Sequence, residues 1–285
     1  MTRQPLIGSI AVVTGASSGV GAAAARHLAA AGASVFVVGR SADKTHTVAD
    51  QVGGKALCAD FTRFSDVRRL ADELLSRVPQ IDILANNAGL VSARRRLTPD
   101  GHEMTIQVNF LSPFLLTALL RESLLKAPAA RIINTSSSLY RYGKLDPEDL
   151  DGDRVRYGRM RAYNAAKLAG LVHAVELNRR IPTTMAATAF HPGSVRSGLD
   201  RDAPIVSALK NSALGRLATR SPDQGAEPLV KLATADQADL RGVYYNKLKP
   251  ERLRHPAATD PAFGALLWQR TTDITDAPAW HRQPD

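Results

Sequence analysis

Six short, predominantly apolar runs punctuate this chain, at residues 7–13, 34–38, 56–59, 81–85, 131–135 and 184–190. A helix pattern separates each run from the next, at 19–31, 43–51, 65–78, 100–126 and 161–180. A half-exposed strand alternates apolar and polar residues. These runs do not alternate, so both of their faces are covered, as in a parallel sheet with helices on either side. The third helix-sized gap shows the helical signal well, with Val67, Leu70, Leu74 and Leu75 near a 3.6-residue period. Pro182 ends the last long helix, and the helix at 100–126 is expected to adjust near Pro113. Right-handed crossovers between parallel strands lead to an α/β, doubly wound sheet of about seven strands flanked by helices. Residues 242–245 supply the seventh strand and residues 261–270 a last helix.

With 285 residues, 44% of them hydrophobic, the chain can bury a full core without staples. No linker-like stretch divides it. We therefore expect one unit over residues 1–285, with a substrate lid around 194–221 and a C-terminal extension around 246–285. The single cysteine, Cys58, excludes a disulfide framework and any multi-cysteine metal site. The histidines show no ligand spacing with carboxylates, so no metal is expected.

The first strand runs into Thr14-Gly15-Ala16-Ser17-Ser18-Gly19-Val20-Gly21, which opens a helix. Glycines let the backbone approach a pyrophosphate, and the free N–H groups at the helix start meet its charge. The spacing is Gly-x-x-x-Gly-x-Gly. Arg40 follows Gly21 by 19 residues, where an acid would hold the ribose hydroxyl of NAD. An arginine there suits a 2′-phosphate, because its planar fork bonds phosphate oxygens. The expected cofactor is NADP(H), preferred over NAD(H).

Tyr163 and Lys167 stand four apart on a predicted helix and share a face. A free tyrosine titrates near 10, too high for proton transfer at neutral pH. A neighbouring ammonium favours the phenolate, which makes the pair a candidate general acid/base. Three other motifs fall at the strand ends where doubly wound sheets bind ligands. They are Asn134-Thr135-Ser136-Ser137 after the fifth strand, Asn86-Asn87-Ala88-Gly89 after the fourth, and Pro192-Gly193 after the sixth, with Asn109 inside the long helix.

With these motifs in this order from residue 7 to about 197, the chain resembles the short-chain dehydrogenase/reductase family, built on a Rossmann-type sheet. The resemblance implies roles residue by residue. Gly15, Ser17, Ser18, Gly19, Val20 and Gly21 line the pyrophosphate turn. Asp60, with Phe61 beside it, contacts the adenine. Asn87, Ala88 and Gly89 back the cofactor ribose. Tyr163 passes the proton, and Ser137, chosen over Ser136, holds the carbonyl oxygen. Lys167 binds the nicotinamide ribose and lowers the Tyr163 pKa. Asn109 holds a water in a proton relay. Pro192, Gly193, Val195 and Ser197 contact the nicotinamide end, with Ser197 where the family has Thr. Ser137 and Tyr163 are 26 residues apart, about twice the common gap. The insert that begins Tyr140-Arg141-Tyr142-Gly143, and Gly242-Val243-Tyr244-Tyr245 with Leu267-Trp268, resemble the retinol-dehydrogenase-like branch. Members of that branch often carry an N-terminal membrane anchor, which this chain is read as lacking.

The implied activity interconverts a carbonyl and an alcohol of a small, largely apolar molecule. Leu199, Ile205, Val206, Leu209 and Leu214 in the expected lid suit such a substrate. The alternative is an NADP(H)-sensing regulatory or interaction protein on the same fold. A sugar-nucleotide epimerase or dehydratase shares the Tyr/Lys pair, but its glycine spacing and larger C-terminal domain are not seen. Formal charge is +10. The arginine runs at 94–96 and 154–161 lack interleaved stacking aromatics, so nucleic acid is not the expected partner. Apolar stretches stop well short of a membrane span, no signal peptide is read, and a cytoplasmic protein is expected. Relatives suggest a homodimer or homotetramer.

Overall fold

The computed structural model describes residues 5–195, 219–235, 240 and 244–280. Eight strands form one sheet in the order β3-β2-β1-β4-β5-β6-β7-β8. They are β1 (Ile10–Thr14), β2 (Ser34–Gly39), β3 (Lys55–Cys58), β4 (Ile83–Asn86), β5 (Arg131–Thr135), β6 (Ala186–His191), β7 (Tyr244–Asn246) and β8 (Lys249–Glu251). Strands β1 to β7 pair parallel, and β7 pairs antiparallel with β8. From β1 the chain first winds outward through β2 and β3, then returns to lay β4 on β1's other side, with Val12 paired to both Phe36 and Leu84. That reversal between β1 and β4 opens a crevice beyond the strands' carboxyl ends.

The expected seven strands become eight because β8 is Lys-Pro-Glu. An edge strand needs no apolar signal and tolerates Pro250. The sixth strand begins at Ala186, two residues later than the pattern suggested.

Alternate residues of each strand feed two cores. Val12, Phe36, Leu84 and Ile132 pack on α3 (Phe64–Arg77) and α5 (Ser112–Leu119). Val13, Val35, Val37 and Ile83 face the other way, onto α1 (Gly19–Ala30) and α8 (Pro222–Thr234). The buried Ala22–Ala25 run keeps α1 thin on that face. Helix α2 (Ala42–Gln51) covers β2 and β3. Helix α7 (Arg159–Leu177) carries the Tyr/Lys pair, and α9 (Pro261–Thr275) lies across α7 and α5. Its Trp268 meets Phe114 at 5.0 Å and His173 at 5.5 Å between ring centres, and the Arg180 guanidinium caps it at 4.3 Å.

The long helix expected over 100–126 is in fact four pieces: α4 (Met104–Ile106), a π turn at Gln107–Leu111, α5, and α6 (Arg121–Lys126). It starts late because Glu103 is its cap, with the carboxylate accepting from the Ile106 amide at 2.9 Å. Gly101, at φ 89°, turns the chain just before. At the π turn the Ser112 amide reaches five residues back to the Gln107 carbonyl. Pro113 has no amide to return to the Asn109 carbonyl. Such turns recur at functional sites.

Candidate active site

The glycines of the first turn are there for closeness. Gly15 has φ +64°, and a Cβ on it would stand 2.7 Å from the Ala88 Cα. A Cβ on Gly21 would meet the Gly15 carbonyl at 2.4 Å and Asn87 Nδ2 at 2.5 Å. Helix α1 has no acidic residue in its first turn, and Ser18 at its N-cap makes no side-chain cap. Its leading amides are therefore left for an anion, and a pyrophosphate fits them. Gly39, at the end of β2, is packed so tightly on the turn that a Cβ would lie 2.8 Å from that of Ser17. This brings the exposed Arg40 to the rim beside Ser17. Sequence reading missed Gly39; a glycine closing an apolar strand just before a candidate ligand was its signal.

Thr14 and Asn87 lash three strand ends together. Thr14 Oγ1 accepts from the Asn87 and Ala88 amides at 3.0 and 3.1 Å. Asn87 Nδ2 donates to the Thr14 carbonyl at 3.1 Å, and its Oδ1 accepts from Thr135 Oγ1 at 3.1 Å. Asn87 thus builds the crevice floor, and Thr14 is a partner that sequence reading did not name. At the end of β3, Asp60 accepts from the Thr62 amide and hydroxyl at 3.0 and 2.9 Å, while its own amide bonds Asp66. Phe61 turns its ring into the core, so its backbone is what it offers a ligand.

Ser137, two residues past β5, caps the 3₁₀ turn Ser138–Tyr142, its hydroxyl oxygen accepting from the Leu139 amide at 3.2 Å. Its own hydrogen is left to give. Ser136 turns the other way and donates to the Lys167 carbonyl at 3.4 Å. On α7, Tyr163 and Lys167 are both buried, with the Lys167 ammonium 5.5 Å from the Tyr163 ring centre. Lys167 Nζ donates to the Thr135 carbonyl at 2.9 Å. Loss of hydration pulls its pKa down to about 8.

Asn109 Nδ2 donates to the Leu90 and Thr105 carbonyls, both at 2.8 Å. Its Oδ1 is buried and lacks a hydrogen-bond partner. A Cβ on Gly89 would stand 2.7 Å from that oxygen and 3.7 Å from Lys167 Nζ, so Gly89, Asn109 and Lys167 converge on one spot. Behind them lies a cavity of about 10 Å³, lined by Asn86, Asn109, Asn134, Ser136, Lys167 and His173 among others. That is room for about one water, and the lining is polar enough to hold it.

After β6, Gly193 takes φ +89°, and Val195 packs against both α1 and α8; a Cβ on Gly225 would lie 2.7 Å from Val195 Cγ2 and 3.0 Å from Val20 Cγ2. Pro192 accepts a long 3.4 Å bond from Arg220. Ser197, and the lid expected at 194–221 apart from its two ends, lie outside the described residues. His191, just before Pro192, was not singled out from sequence. Its Nε2 is 3.5 Å from Ser138 Oγ, and burial aided by Lys247, Arg141 and Arg220 lowers its pKa to about 4. Among the described residues no cluster of His, Cys, Asp and Glu could hold a metal, and no helix is long and apolar enough to cross a membrane.

A doubly wound sheet with a glycine-lined helix start at its switch point, and a Ser, Tyr and Lys gathered beside it, defines a dinucleotide-dependent α/β enzyme class. Residues 9–204 match the family model described as short chain dehydrogenase. The chain is 39% identical to DnrU of Streptomyces sp. (strain C5), a protein described as a proposed daunorubicin C-13 ketoreductase, over 93% of this chain and 91% of that one. It is 32% identical to human retinol dehydrogenase 13, over 99% of this chain and 90% of the relative. A crystal structure of an uncharacterized protein from Mycobacterium paratuberculosis superposes with TM-score 0.79 at 30% identity, over 97% and 96% of the two chains. The chain belongs to the short-chain dehydrogenase family, oxidoreductases that work with a nicotinamide cofactor.

Proposed function

We propose that this chain, acting as one catalytic unit over residues 1–285, is an NADP(H)-dependent carbonyl reductase or alcohol dehydrogenase. One observation carries the reading: Lys167 Nζ and the unpartnered Asn109 Oδ1 flank Gly89 at the sheet's switch point, with Tyr163 on the same helix face as Lys167. The Gly15–Gly21 turn and the uncapped start of α1 would hold the pyrophosphate. Arg40 would take the 2′-phosphate, and Asp60 the adenine side. Pro192, Gly193, Val195 and Ser197 would border the nicotinamide. When bound, that ring supplies or accepts the hydride.

The chain's own residues handle the oxygen and the proton. Ser137 donates a hydrogen bond to the substrate oxygen and fixes the carbonyl. In reduction Tyr163 Oη gives its proton to that oxygen, and in oxidation it takes one. The Lys167 ammonium favours the phenolate that Tyr163 leaves behind. Asn109 and the small cavity hold a water through which the phenolate regains a proton from solvent.

The ketoreductase and retinol dehydrogenase relatives direct the substrate search toward largely apolar ketones, aldehydes and alcohols. The test is NADPH oxidation by the purified chain over a panel including daunorubicin, retinal, quinones and steroids, with Tyr163→Phe alongside. Turnover lost in the variant, with NADPH affinity kept, supports the reading. NADPH binding without any Tyr163-dependent turnover turns it toward a cofactor-sensing role.

A further inference from the structure

The site does not use the two arginine runs at 94–96 and 154–161. The fold sets them side by side. The Tyr157 hydroxyl donates to the Ser92 carbonyl at 2.9 Å, and Arg95 pairs with Asp153. Arg94, Arg95, Arg96, Arg154, Arg156 and Arg161 are all exposed on this rim. Four nearby carboxylates offset them incompletely. Asp153 pairs with Arg95, and Asp146 lies 3.7 Å from Arg154. Asp149 is turned inward onto the amides of Asp153 and Arg154. Asp151 is taken by His102 and the Glu103 amide.

Between these cations stand large apolar side chains in water. Leu97 is 53% exposed, Val155 46% and Met160 45%. Each adjoins arginine in the chain: Arg96-Leu97, Arg154-Val155-Arg156 and Arg159-Met160-Arg161. Singly exposed apolar residues need no explanation. Three of them interleaved with six arginines on linked segments form the pattern of an interfacial surface, where cations meet headgroups and apolar side chains enter the acyl boundary. A surface for single-stranded nucleic acid would interleave exposed stacking aromatics instead, and Tyr157, the one ring between these arginines, is only half exposed.

The rim borders the cleft. Arg94 follows Gly89 by five residues, and Met160 stands one helical turn before Tyr163 on α7. We propose that this face docks the mouth of the site onto an anionic lipid surface, so that a substrate dissolved in the bilayer enters from the acyl side.

Flotation of the full chain with phosphatidylcholine vesicles, and with vesicles about one-third phosphatidylserine, tests this without any turnover. Binding is expected to the anionic vesicles only. Each arginine removed should lower the partition coefficient about fivefold, the effect of roughly one charge near such a surface. Arg94→Ser, Arg96→Ser and Arg156→Ser together should abolish flotation, and so should Leu97→Ser with Val155→Ser and Met160→Ser. NADPH affinity in each variant verifies that it is folded. Absence of binding to the anionic vesicles, or equal binding to neutral ones, overturns the proposal. Loss in the arginine variants but not in the apolar ones also overturns it, because the face would then be a plain polyanion site.

Discussion

Lys167 donates its ammonium hydrogen to the Thr135 carbonyl at 2.9 Å, two residues before Ser137. Together with the bond from Ser136 to the Lys167 carbonyl, it ties α7, the helix that also carries Tyr163, to the end of β5. It also keeps the ammonium in a dry place, where its pKa sits near 8.

The first prediction follows from that value. The charged form suits an anionic dinucleotide, so binding should favour the proton on Lys167. NADPH affinity should be highest below pH 8 and decline as pH rises through it. Titrations from pH 6.5 to 9.5 on the wild type and Lys167→Met settle the point: a decline equally steep in the variant would assign it elsewhere.

Arg40→Ala should cost about 1.5–3 kcal/mol of NADPH binding, the size of a charged hydrogen bond, and leave NADH affinity nearly unchanged. Parallel fluorescence titrations with the two cofactors give the ratio. Equal losses for both would remove the 2′-phosphate from the account.

Two glycines should respond oppositely to alanine. At Gly21 the new methyl would collide with the Gly15 carbonyl at 2.4 Å, so the turn must open. Stability should fall by about 1–3 kcal/mol and NADPH affinity should drop at least tenfold. Gly170, inside α7, has nothing within 4 Å of a Cβ. Gly170→Ala should stabilise by about 0.5–1 kcal/mol through lost unfolded-state entropy. Urea midpoints compare the two.

Two buried histidines set an acid limit. Burial lowers His173 to about 3, with Arg180 adding to it, and holds His191 at about 4. Below pH 6.5 the unfolded chain takes up protons that the folded one refuses, so stability falls toward acid by about 1.4 kcal/mol per pH unit for each. His102 and Glu103 act the other way. The Asp151 hydrogen bond raises His102 and burial raises Glu103, so their contributions grow toward acid and fade as pH rises. His173→Leu isolates one histidine: between pH 6.5 and 5 it should lose about 2 kcal/mol less than wild type. An unchanged difference in urea midpoints would show that His173 is protonated in the native state.

The aromatic contact behind the site is a separate test of packing. Trp268→Ala should cost about 3–5 kcal/mol, since it strips partners from Phe114, His173 and Arg180 together. Calorimetry reads the change directly.

The parts of this architecture legible in sequence were those whose signal is local. Val35-Phe36-Val37-Val38, β-branched and aromatic throughout and short, reads as a strand covered on both faces, and Tyr163 with Lys167 share a face once the segment is helical. Missing were features made by meetings across the sheet. Nothing in the neighbourhood of Thr14 shows that its hydroxyl will take two amides from the end of β4. Nothing apolar marks Lys249-Pro250-Glu251 as a strand. The adjustment near Pro113 was legible, and the π turn at Gln107–Leu111 lies just before it, but the late start at Met104 and the separate turn at Arg121–Lys126 depend on where individual amides point. Ser136 and Ser137 are indistinguishable by type, and the opposite directions of their hydroxyls appear only with β5 and α7 in place.

Helix α9 also fixes an order of events during synthesis. Phe114, one residue beyond the π-turn neighbour Pro113, and His173, on the helix of Tyr163 and Lys167, both lean on Trp268, which the ribosome adds about a hundred residues after the Tyr/Lys pair. The helices carrying Phe114 and His173 thus lack this brace until residues 261–275 have been made. Until residues 261–275 emerge and dock, the nascent chain holds Asn109, Ser137, Tyr163 and Lys167 without the wall that packs on Phe114 and His173, so the proposed site is complete in sequence before it is braced in space.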